Sequence, residues 1–331
     1  MRKDGRIVVT GSVAFDYLMT FPGKFTEHLI PDRMSRLSVS FLVDEMRRVP
    51  GGCGPNIAWG LALLGEQPLL FATAGADAGE YRDRLEAHGI DVSGLALDPD
   101  LFTASFFCST DQDQNQVASF YTGAMARAHR FSLETLDPDS IAFVVISPND
   151  PPAMAAHAAY CRQRRIPFLY DPSQQVTRLS GDEMRAGFEG AEILIVNEYE
   201  FGILTQKTGL TREQMERMVP VLIVTHGPDG SAIHAPFGSD GRLVHHVPAA
   251  SVETEALDPT GVGDAYRAGL LRGLRIGAAW PVAGRIGSVA AVFCLEHQGP
   301  QPPRYTPEQF RARYVRNYGE TPELDRLFTG G

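Results

Sequence analysis

Short apolar runs of strand length alternate with helical patterns along this chain, and this alternation constrains its fold more than any other feature. The runs occupy residues 6–13, 68–74, 141–147, 167–170, 192–196 and 221–225. Helical patterns at 56–65, 80–88 and 152–164 follow the first three runs. Strands that are apolar throughout are typical of parallel sheets buried on both faces. The pattern therefore predicts an α/β fold, with helices on both faces of a central, mostly parallel sheet.

Two stretches interrupt this alternation. Residues 19–50 hold no convincing crossover helix and include the alternating run 36–43. Strand-like runs at 103–110 and 116–121 flank the polar segment DQDQN, which is typical of a hairpin. Together these stretches form either long loops or a small β-sheet, and we favour the sheet because long structureless loops are uncommon in compact domains. We expect one domain over residues 1–331, with lid insertions at about 14–50 and 101–125.

Charge and composition narrow the function classes. The net charge of −10 argues against a general nucleic-acid binder. The apolar stretches are shorter than the ~20 residues that a membrane helix needs, and the N-terminus lacks the apolar region of a signal peptide. The four cysteines show no C-x-x-C spacing. We therefore expect a reduced cytoplasmic protein with neither a nucleic-acid nor a membrane partner.

A glycine-rich turn precedes the first of two long helical patterns, at 260–276 and 281–296. The turn lies in DPTGVGDAYRAG, residues 258–269. Gly261 and Gly263 allow backbone N–H groups to converge, and the helix start adds free N–H groups and a partial positive charge, which together favour an anion. Asp264 follows, either as a helix cap or as a base that takes a proton from a hydroxyl; spacing alone leaves both open. No G-x-x-x-x-G-K-[ST] pattern is present, which argues against a P-loop enzyme.

Four motifs in order carry a family resemblance. They are GGCGPNIA at 51–58, NEYE at 197–200, VTHGPDG at 224–230 and the DPTGVGDAYRAG run. In this order they resemble the motifs of the ribokinase-like (PfkB-type) sugar and nucleoside kinases. The resemblance implies a three-layer α/β/α fold with a central, mostly parallel sheet and a small β-sheet lid.

Within that family, five local strings most resemble those of the bacterial adenosine kinases. They are GS at 11–12 with Asp16, SFLVD at 40–44, ASFYTGAM at 118–125, DPSQQ at 171–175 and PTGVGD at 259–264. Pro259, Val262 and Tyr266 depart from the wider family pattern and bear on the subgroup rather than on activity. The resemblance implies transfer of the ATP γ-phosphoryl group to the 5′-hydroxyl of adenosine, giving AMP and ADP. The alternatives are an inosine–guanosine kinase, a ribokinase, or a non-catalytic ligand-binding homologue.

The resemblance also implies roles for individual residues. Asp264 would be the base, and the amides of Gly261, Val262 and Gly263 would hold the moving phosphoryl group. The substrate-binding residues would be Ser12, Asp16, Gly52, Asn56, Phe106, Phe120, Gln174, Gln175 and Arg178. The nucleotide side would be formed by Asn197, Thr225, Gly227, Gly230 and Thr260. Asn197 and Glu200 would serve the Mg²⁺ that accompanies ATP, and a requirement for a monovalent cation such as K⁺ stays open.

Plainer interpretations exist for several of these residues. Asn197 and Glu200 also fit a helix capping box. The two phenylalanines, implied to stack on the nucleobase, could instead pack the lid against the core. Asp16 could be a solvated loop residue. Exposed strand edges invite pairing, so the lid strands are a candidate site for a homodimer.

Overall fold

Successive residues of the first strand face opposite sides of the main sheet, and this sets the layers of the fold. The protein is described by a computed structural model that covers residues 1–2, 4–28, 39–237 and 241–328. Ile7 and Val9 pack into one buried apolar cluster, whereas Val8 packs into another. Because successive side chains of a strand point to opposite faces, both faces of this sheet must be covered.

The elements follow one another in the alternating order that the sequence predicts. The strands are β1 (Arg6–Thr10), β2 (Ala14–Thr20), β3 (Glu45–Gly51), β4 (Leu69–Gly75), β5 (Leu95–Asp98), β6 (Ala104–Thr110), β7 (Gln116–Tyr121), β8 (Ile141–Ile146), β9 (Phe168–Tyr170), β10 (Ile193–Asn197), β11 (Val221–Thr225), β12 (Ser231–Phe237) and β13 (Gly241–Val247). The helices are α1 (Phe25–His28), α2 (Cys53–Leu63), α3 (Gly79–Ala87), α4 (Pro151–Arg164), α5 (Gly181–Phe188), α6 (Glu198–Thr208), α7 (Arg212–Met218), α8 (Val262–Arg275), α9 (Trp280–Leu295) and α10 (Pro307–Tyr318).

The large sheet has the order β13-β12-β11-β10-β9-β8-β1-β4-β5. Its neighbouring strands run parallel, except for β11–β12 and β12–β13. Helices α2, α3, α8 and α9 contribute to the cluster on one face, and α4 to α7 contribute to the cluster on the other. The predicted α/β fold with helices on both sides of a mostly parallel sheet is thus confirmed.

A smaller sheet with the order β3-β2-β6-β7 stands beside the large one. Its outer pairs are antiparallel and its central pair, β2–β6, is parallel. Every residue of β7 is exposed, so this edge strand faces solvent. The prediction of a small sheet from the two interrupting stretches is confirmed.

Three details of the sequence prediction are wrong. The run at 6–13 is not one strand, because β1 ends at Thr10 and the chain crosses into the small sheet. A side chain at Gly11 would place its Cβ 2.2 Å from Ser147 Oγ, so this crossing requires glycine. Residues 39–43 of the alternating run 36–43 are not a strand, while 36–38 lie outside the described residues. Strand β12 was missed, although its buried residues pair with β11.

Helix α8 approaches its neighbours closely through small residues. A Cβ at Gly269 would lie 2.7 Å from the Cα of Gly287 on α9, and one at Gly60 on α2 would lie 2.7 Å from the Cβ of Ala268. These contacts fix the helix that follows the glycine-rich turn. None of the described helices is long and apolar enough to cross a membrane.

Candidate active site

A cavity of about 760 Å³ lies where the carboxyl ends of the large-sheet strands face the small sheet. Ligands of open α/β sheets bind at this edge. The nine predicted substrate-binding residues all line it, namely Ser12, Asp16, Gly52, Asn56, Phe106, Phe120, Gln174, Gln175 and Arg178. Thr260, Gly261 and Asp264 line the same cavity. The fold therefore brings together residues from distant parts of the chain.

The glycine-rich turn begins α8 without a side-chain cap. Gly261 has a φ of 79°, and a Cβ there would lie 2.4 Å from the Cβ of Pro300, so this position requires glycine. Val262 N–H donates to the carbonyl oxygen of Pro259 at 3.3 Å, which commits that amide to the turn. Within the described residues the amides of Gly261 and Gly263 have no protein acceptor. Two of the three predicted amides are thus free to bind an anion.

Asp264 does not cap its helix. Its Oδ2 instead accepts a hydrogen bond from Asn56 Nδ2 at 3.0 Å, across the gap between α8 and α2. Burial raises the pKa of Asp264, while the nearby Arg267 and the bond from Asn56 oppose that rise. The helix-cap interpretation is wrong, and a buried carboxylate is left beside the free amides, in a position to accept a proton.

Arg267, one turn further along α8, is a residue that the sequence reasoning missed. Its Nε lies 2.6 Å from Oδ2 of Asp171, which follows β9, and both side chains are buried. A Cβ at Gly263 would lie 2.7 Å from Arg267 Nη1, so the guanidinium packs directly against the turn. Burial, together with the charges of Glu200 and Asp264, raises the pKa of Asp171 to about 7, although Arg267 opposes the rise. The signal in the sequence was an arginine three residues after Asp264.

Asp16 shares its end of the cavity with Asp258, which was not predicted. Burial first, and then the charge of Asp258, raises the pKa of Asp16 to about 6. Asp258 accepts hydrogen bonds from the amides of Thr260 and Gly299, each at 2.9 Å. The solvated-loop interpretation of Asp16 is therefore wrong.

Phe106 and Phe120 are direct cross-strand partners on β6 and β7. Their side chains thus lie on one face of the small sheet, and both line the cavity. Half of Phe120 is exposed, which leaves its ring available for a planar ligand. Gln175 Nε2 donates to the carbonyl oxygen of Asn149 at 2.8 Å, whereas its buried Oε1 has no hydrogen-bond partner.

The predicted nucleotide residues other than Thr260 lie outside the cavity. Asn197 on β10 pairs in register with Thr225 on β11, and Gly227 and Gly230 belong to the turn that follows β11. A Cβ at Gly230 would lie 2.0 Å from the carbonyl oxygen of Val247, which demands glycine. These residues form a second zone along the same edge of the large sheet.

Asn197 and Glu200 form the capping box of α6. Asn197 Oδ1 accepts from the amide of Glu200, and Glu200 Oε2 accepts from the amide of Asn197, each at 2.8 Å. Glu200 Oε1 makes no such bond, so the box leaves one carboxylate oxygen for other partners. No group of three or more His, Cys, Asp or Glu side chains that could cage a metal occurs in the described part of the chain. The donor set fits an Mg²⁺ that keeps its waters and contacts phosphates.

Comparison with known proteins agrees with this geometry. The nucleoside kinase of Burkholderia thailandensis, solved in complex with inosine, superposes with a TM-score of 0.82 and 36% identity, covering 95% of this chain and 98% of that one. The nucleoside kinase of Methanocaldococcus jannaschii, an archaeal member of the ribokinase family, superposes with a TM-score of 0.80 and 26% identity, covering 96% and 100%. The fold is therefore ribokinase-like.

Sequence comparison extends over nearly the whole chain. The nucleoside kinase of Methanothermobacter thermautotrophicus is 30% identical over 305 residues, which are 91% of this chain and 93% of that protein. The model of the pfkB family carbohydrate kinases matches residues 9–307. Cavity, glycine-rich turn and sequence similarity lead to one conclusion: this chain belongs to the pfkB family of carbohydrate kinases.

Proposed function

We propose that this protein is an ATP-dependent nucleoside kinase that transfers the γ-phosphoryl group of ATP to the 5′-hydroxyl of adenosine. The observation that carries the proposal is the Asp264 carboxylate, buried in the cavity beside the free amides of Gly261 and Gly263. Phosphoryl transfer depends mainly on positioning and on charge stabilisation, and this corner supplies both.

Asp264 takes the proton of the 5′-hydroxyl as the oxygen attacks phosphorus. The amides of Gly261 and Gly263 stabilise the charge on the transferred group, and Val262 contributes less because its amide bonds to Pro259. Loss of one such preorganised donor typically costs ~3 kcal/mol of transition-state stabilisation. Arg267 is the cation behind the turn, where it partly offsets the charges of the buried acids around it.

The nucleoside occupies the cavity with its sugar towards Asp16 on β2 and its base towards β6 and β7. Asp16 accepts from the 2′- and 3′-hydroxyls, with Ser12, Gly52 and Asn56 beside it, and Phe106 and Phe120 contact the base. Gln175 also lines the cavity, with its amide nitrogen bonded to the carbonyl oxygen of Asn149. Gln174 completes this wall, and Arg178 contacts phosphate.

ATP extends from the glycine-rich turn along the second zone, past Thr260, Thr225, Gly227 and Gly230. Asn197 and Glu200 would hold Mg²⁺ through water, and the ion would supply charge neutralisation between the phosphates. A monovalent cation such as K⁺ is a further candidate requirement. The small sheet acts as a lid, with its insertions at about 14–50 and 101–125, and excludes water that would compete as acceptor.

Two further features belong to this proposal. The exposed edge strand β7 suits pairing with a second copy of the chain, which would give a homodimer through the lid strands. A nucleoside kinase that draws on ATP also fits a cytoplasmic location and a role in purine salvage.

Inosine is the second candidate acceptor, because the Burkholderia thailandensis relative was solved with inosine. Hypoxanthine carries a carbonyl oxygen where adenine carries an amine, so the two bases differ in hydrogen bonding at that position. The test compares kcat/KM for adenosine, inosine, guanosine and ribose with ATP and Mg²⁺. Adenosine should lead; preference for ribose or inosine would overturn the substrate, and binding without any ADP release would overturn the enzyme.

A further inference from the structure

A chain of hydrogen bonds leads from the candidate base to the small sheet. Asp264 accepts from Asn56 Nδ2 at 3.0 Å, and Asn56 Oδ1 accepts from Gln301 Nε2 at 3.1 Å. The same Nε2 contacts Tyr81 Oη at 2.5 Å, and Tyr81 Oη lies 3.0 Å from the carbonyl oxygen of Gly51. All four side chains are buried. Neither Gln301 nor Tyr81 belongs to a motif singled out in the sequence.

The direction of every bond in this chain is set by its last member. The carbonyl of Gly51 can only accept, so the single O–H of Tyr81 must donate to it. The oxygen of Tyr81 can then only accept, so the group of Gln301 that faces it must be the NH₂. The second hydrogen of that NH₂ serves Asn56, whose facing atom must be its carbonyl oxygen.

The direction of these hydrogen bonds also decides which atom of Asn56 faces Asp264. Once the oxygen of Asn56 is turned to Gln301, its amide nitrogen must face the carboxylate of Asp264. The reverse orientation would place the amide oxygen against a carboxylate, leave Asp264 without a donor and leave two donors facing each other. Gln301 Oε1 is buried without a partner, so its amide is held only by the groups that its nitrogen serves.

We propose that Tyr81 and Gln301 are positioning residues, which hold the amide of Asn56 with its nitrogen towards Asp264 and thereby keep the base ionised and aimed. The inference rests on the proposed function of Asp264 as the base. It also connects the base to Gly51, the last residue of β3, so the base is oriented correctly when the small sheet sits where Tyr81 can reach it.

Besides Tyr81 on α3, the titratable groups around Asp264 lie on three helices and on the segment that follows β9. Arg267 lies on its own helix, Asp171 follows β9, Cys53 lies on α2, and Cys294 lies on α9. Arg267 and Asn56 are the two that favour the ionised carboxylate, and burial disfavours it. Removal of the Asn56 donor should therefore raise the pKa of Asp264.

Gln301→Glu is the decisive variant, because it keeps the size of the side chain and replaces its NH₂ by an acceptor. When the new carboxyl group is ionised it can only accept, so Asn56 turns its nitrogen towards it and presents its oxygen to Asp264. We expect kcat at pH 7 to fall about 10²-fold, as for a misplaced catalytic group, with KM for ATP unchanged. The acid limb of the kcat profile should move to higher pH by at least about one unit. Gln206→Glu, the same change on an exposed face of α6, should leave both unchanged.

Tyr81→Phe removes one oxygen and carries the test if Gln301→Glu does not fold. The amide of Gln301 then loses the contact that sets its direction, and kcat should fall about three- to tenfold with the same direction of pH shift. The Asp264 carboxyl is also followed without turnover, by ¹³C NMR titration of aspartate-labelled protein, with Asp264→Asn identifying the signal. A wild-type kcat profile and a wild-type titration in either folded variant would overturn the proposal.

The titration separates this inference from the function on which it rests. A shifted Asp264 titration in Gln301→Glu, in a protein that phosphorylates no acceptor, would sustain the positioning role and overturn the kinase. An active wild type with a fall in kcat but no shift of profile or titration would overturn the positioning role and leave the kinase standing.

Discussion

The pH dependence of nucleoside binding gives the sharpest test of how the sugar is held. Burial and the neighbouring Asp258 raise the pKa of Asp16 to about 6. A pair of sugar hydroxyls needs two acceptors, and only the ionised carboxylate offers both oxygens as acceptors. With a pKa of about 6, the ionised fraction of Asp16 falls from about nine tenths at pH 7 to about one tenth at pH 5. The Kd for adenosine should therefore rise about tenfold between these two pH values.

The assay is calorimetric or dialysis binding of adenosine without ATP, from pH 5 to 8, so that proton transfer by Asp264 does not enter. Asp16→Asn should bind weakly at every pH and lose the dependence. Asp258→Asn removes the charge that helps to raise the pKa of Asp16, so its midpoint should lie below pH 6. Asp139→Asn, at an exposed site, is the matched control.

Two results would refute this reasoning. A Kd that stays constant from pH 5 to 8 would mean that the sugar does not need an ionised Asp16. A tenfold change that persists in Asp16→Asn would place the titrating group elsewhere, and the contact between Asp16 and the sugar would have to be abandoned.

Three further changes follow from the site. Asp264→Asn should lower kcat by at least ~10²-fold and leave adenosine affinity nearly intact, whereas Asp83→Asn, at an exposed site, should change neither. Steady-state kinetics with ADP detection measures both quantities, and retained turnover in Asp264→Asn would show that Asp264 is not the base. Phe120→Ala should raise KM for adenosine several-fold through loss of ~0.5–1.5 kcal/mol of stacking, without affecting ribose; equal effects on both acceptors would contradict a contact with the base. Arg267→Met should destabilise the protein by about 3–5 kcal/mol in urea unfolding at pH 8, because it leaves Asp171 buried and unpaired. Arg267 lowers the pKa of Asp171, so without it that pKa rises above its wild-type value of about 7 and the carboxyl group takes up a proton as pH falls. The loss should therefore shrink as pH falls towards 7 and below; a pH-independent loss would refute that account.

Much of the architecture could be predicted from local patterns. The apolar runs that became β8 and β11 are buried on both faces, so their composition alone identified them. The predicted helix at 260–276 began two residues early, because Gly261 adopts a φ of 79° that ends the turn before α8 starts. The break after β1 depended on how close Gly11 comes to Ser147, a contact that no local pattern reveals.

The same distinction between local pattern and packing applies to the residues of the candidate site. Residues such as Asp16 and Asn56 were found because motifs carry them. Gln301 was not, because its partner Asn56 lies 245 residues away in the chain and only packing joins them. Asp171 lies in the string DPSQQ, which resembles the bacterial adenosine kinases. Its ion pair with Arg267 could not be predicted from that string, because the pair depends on how α8 packs against the end of β9.

The pairing of Asp171 with Arg267 also bears on the order in which the chain matures. Synthesis proceeds from the N-terminus, so Asp171 leaves the ribosome well before the residue that neutralises it. Until α8 arrives, that carboxylate has to remain hydrated or take up a proton, and the pocket around it cannot close. A nascent or truncated chain that ends before residue 262 therefore lacks both Arg267, the counter-ion of Asp171, and Asp264, the proposed base. Such a chain should not hydrolyse or transfer phosphate from ATP.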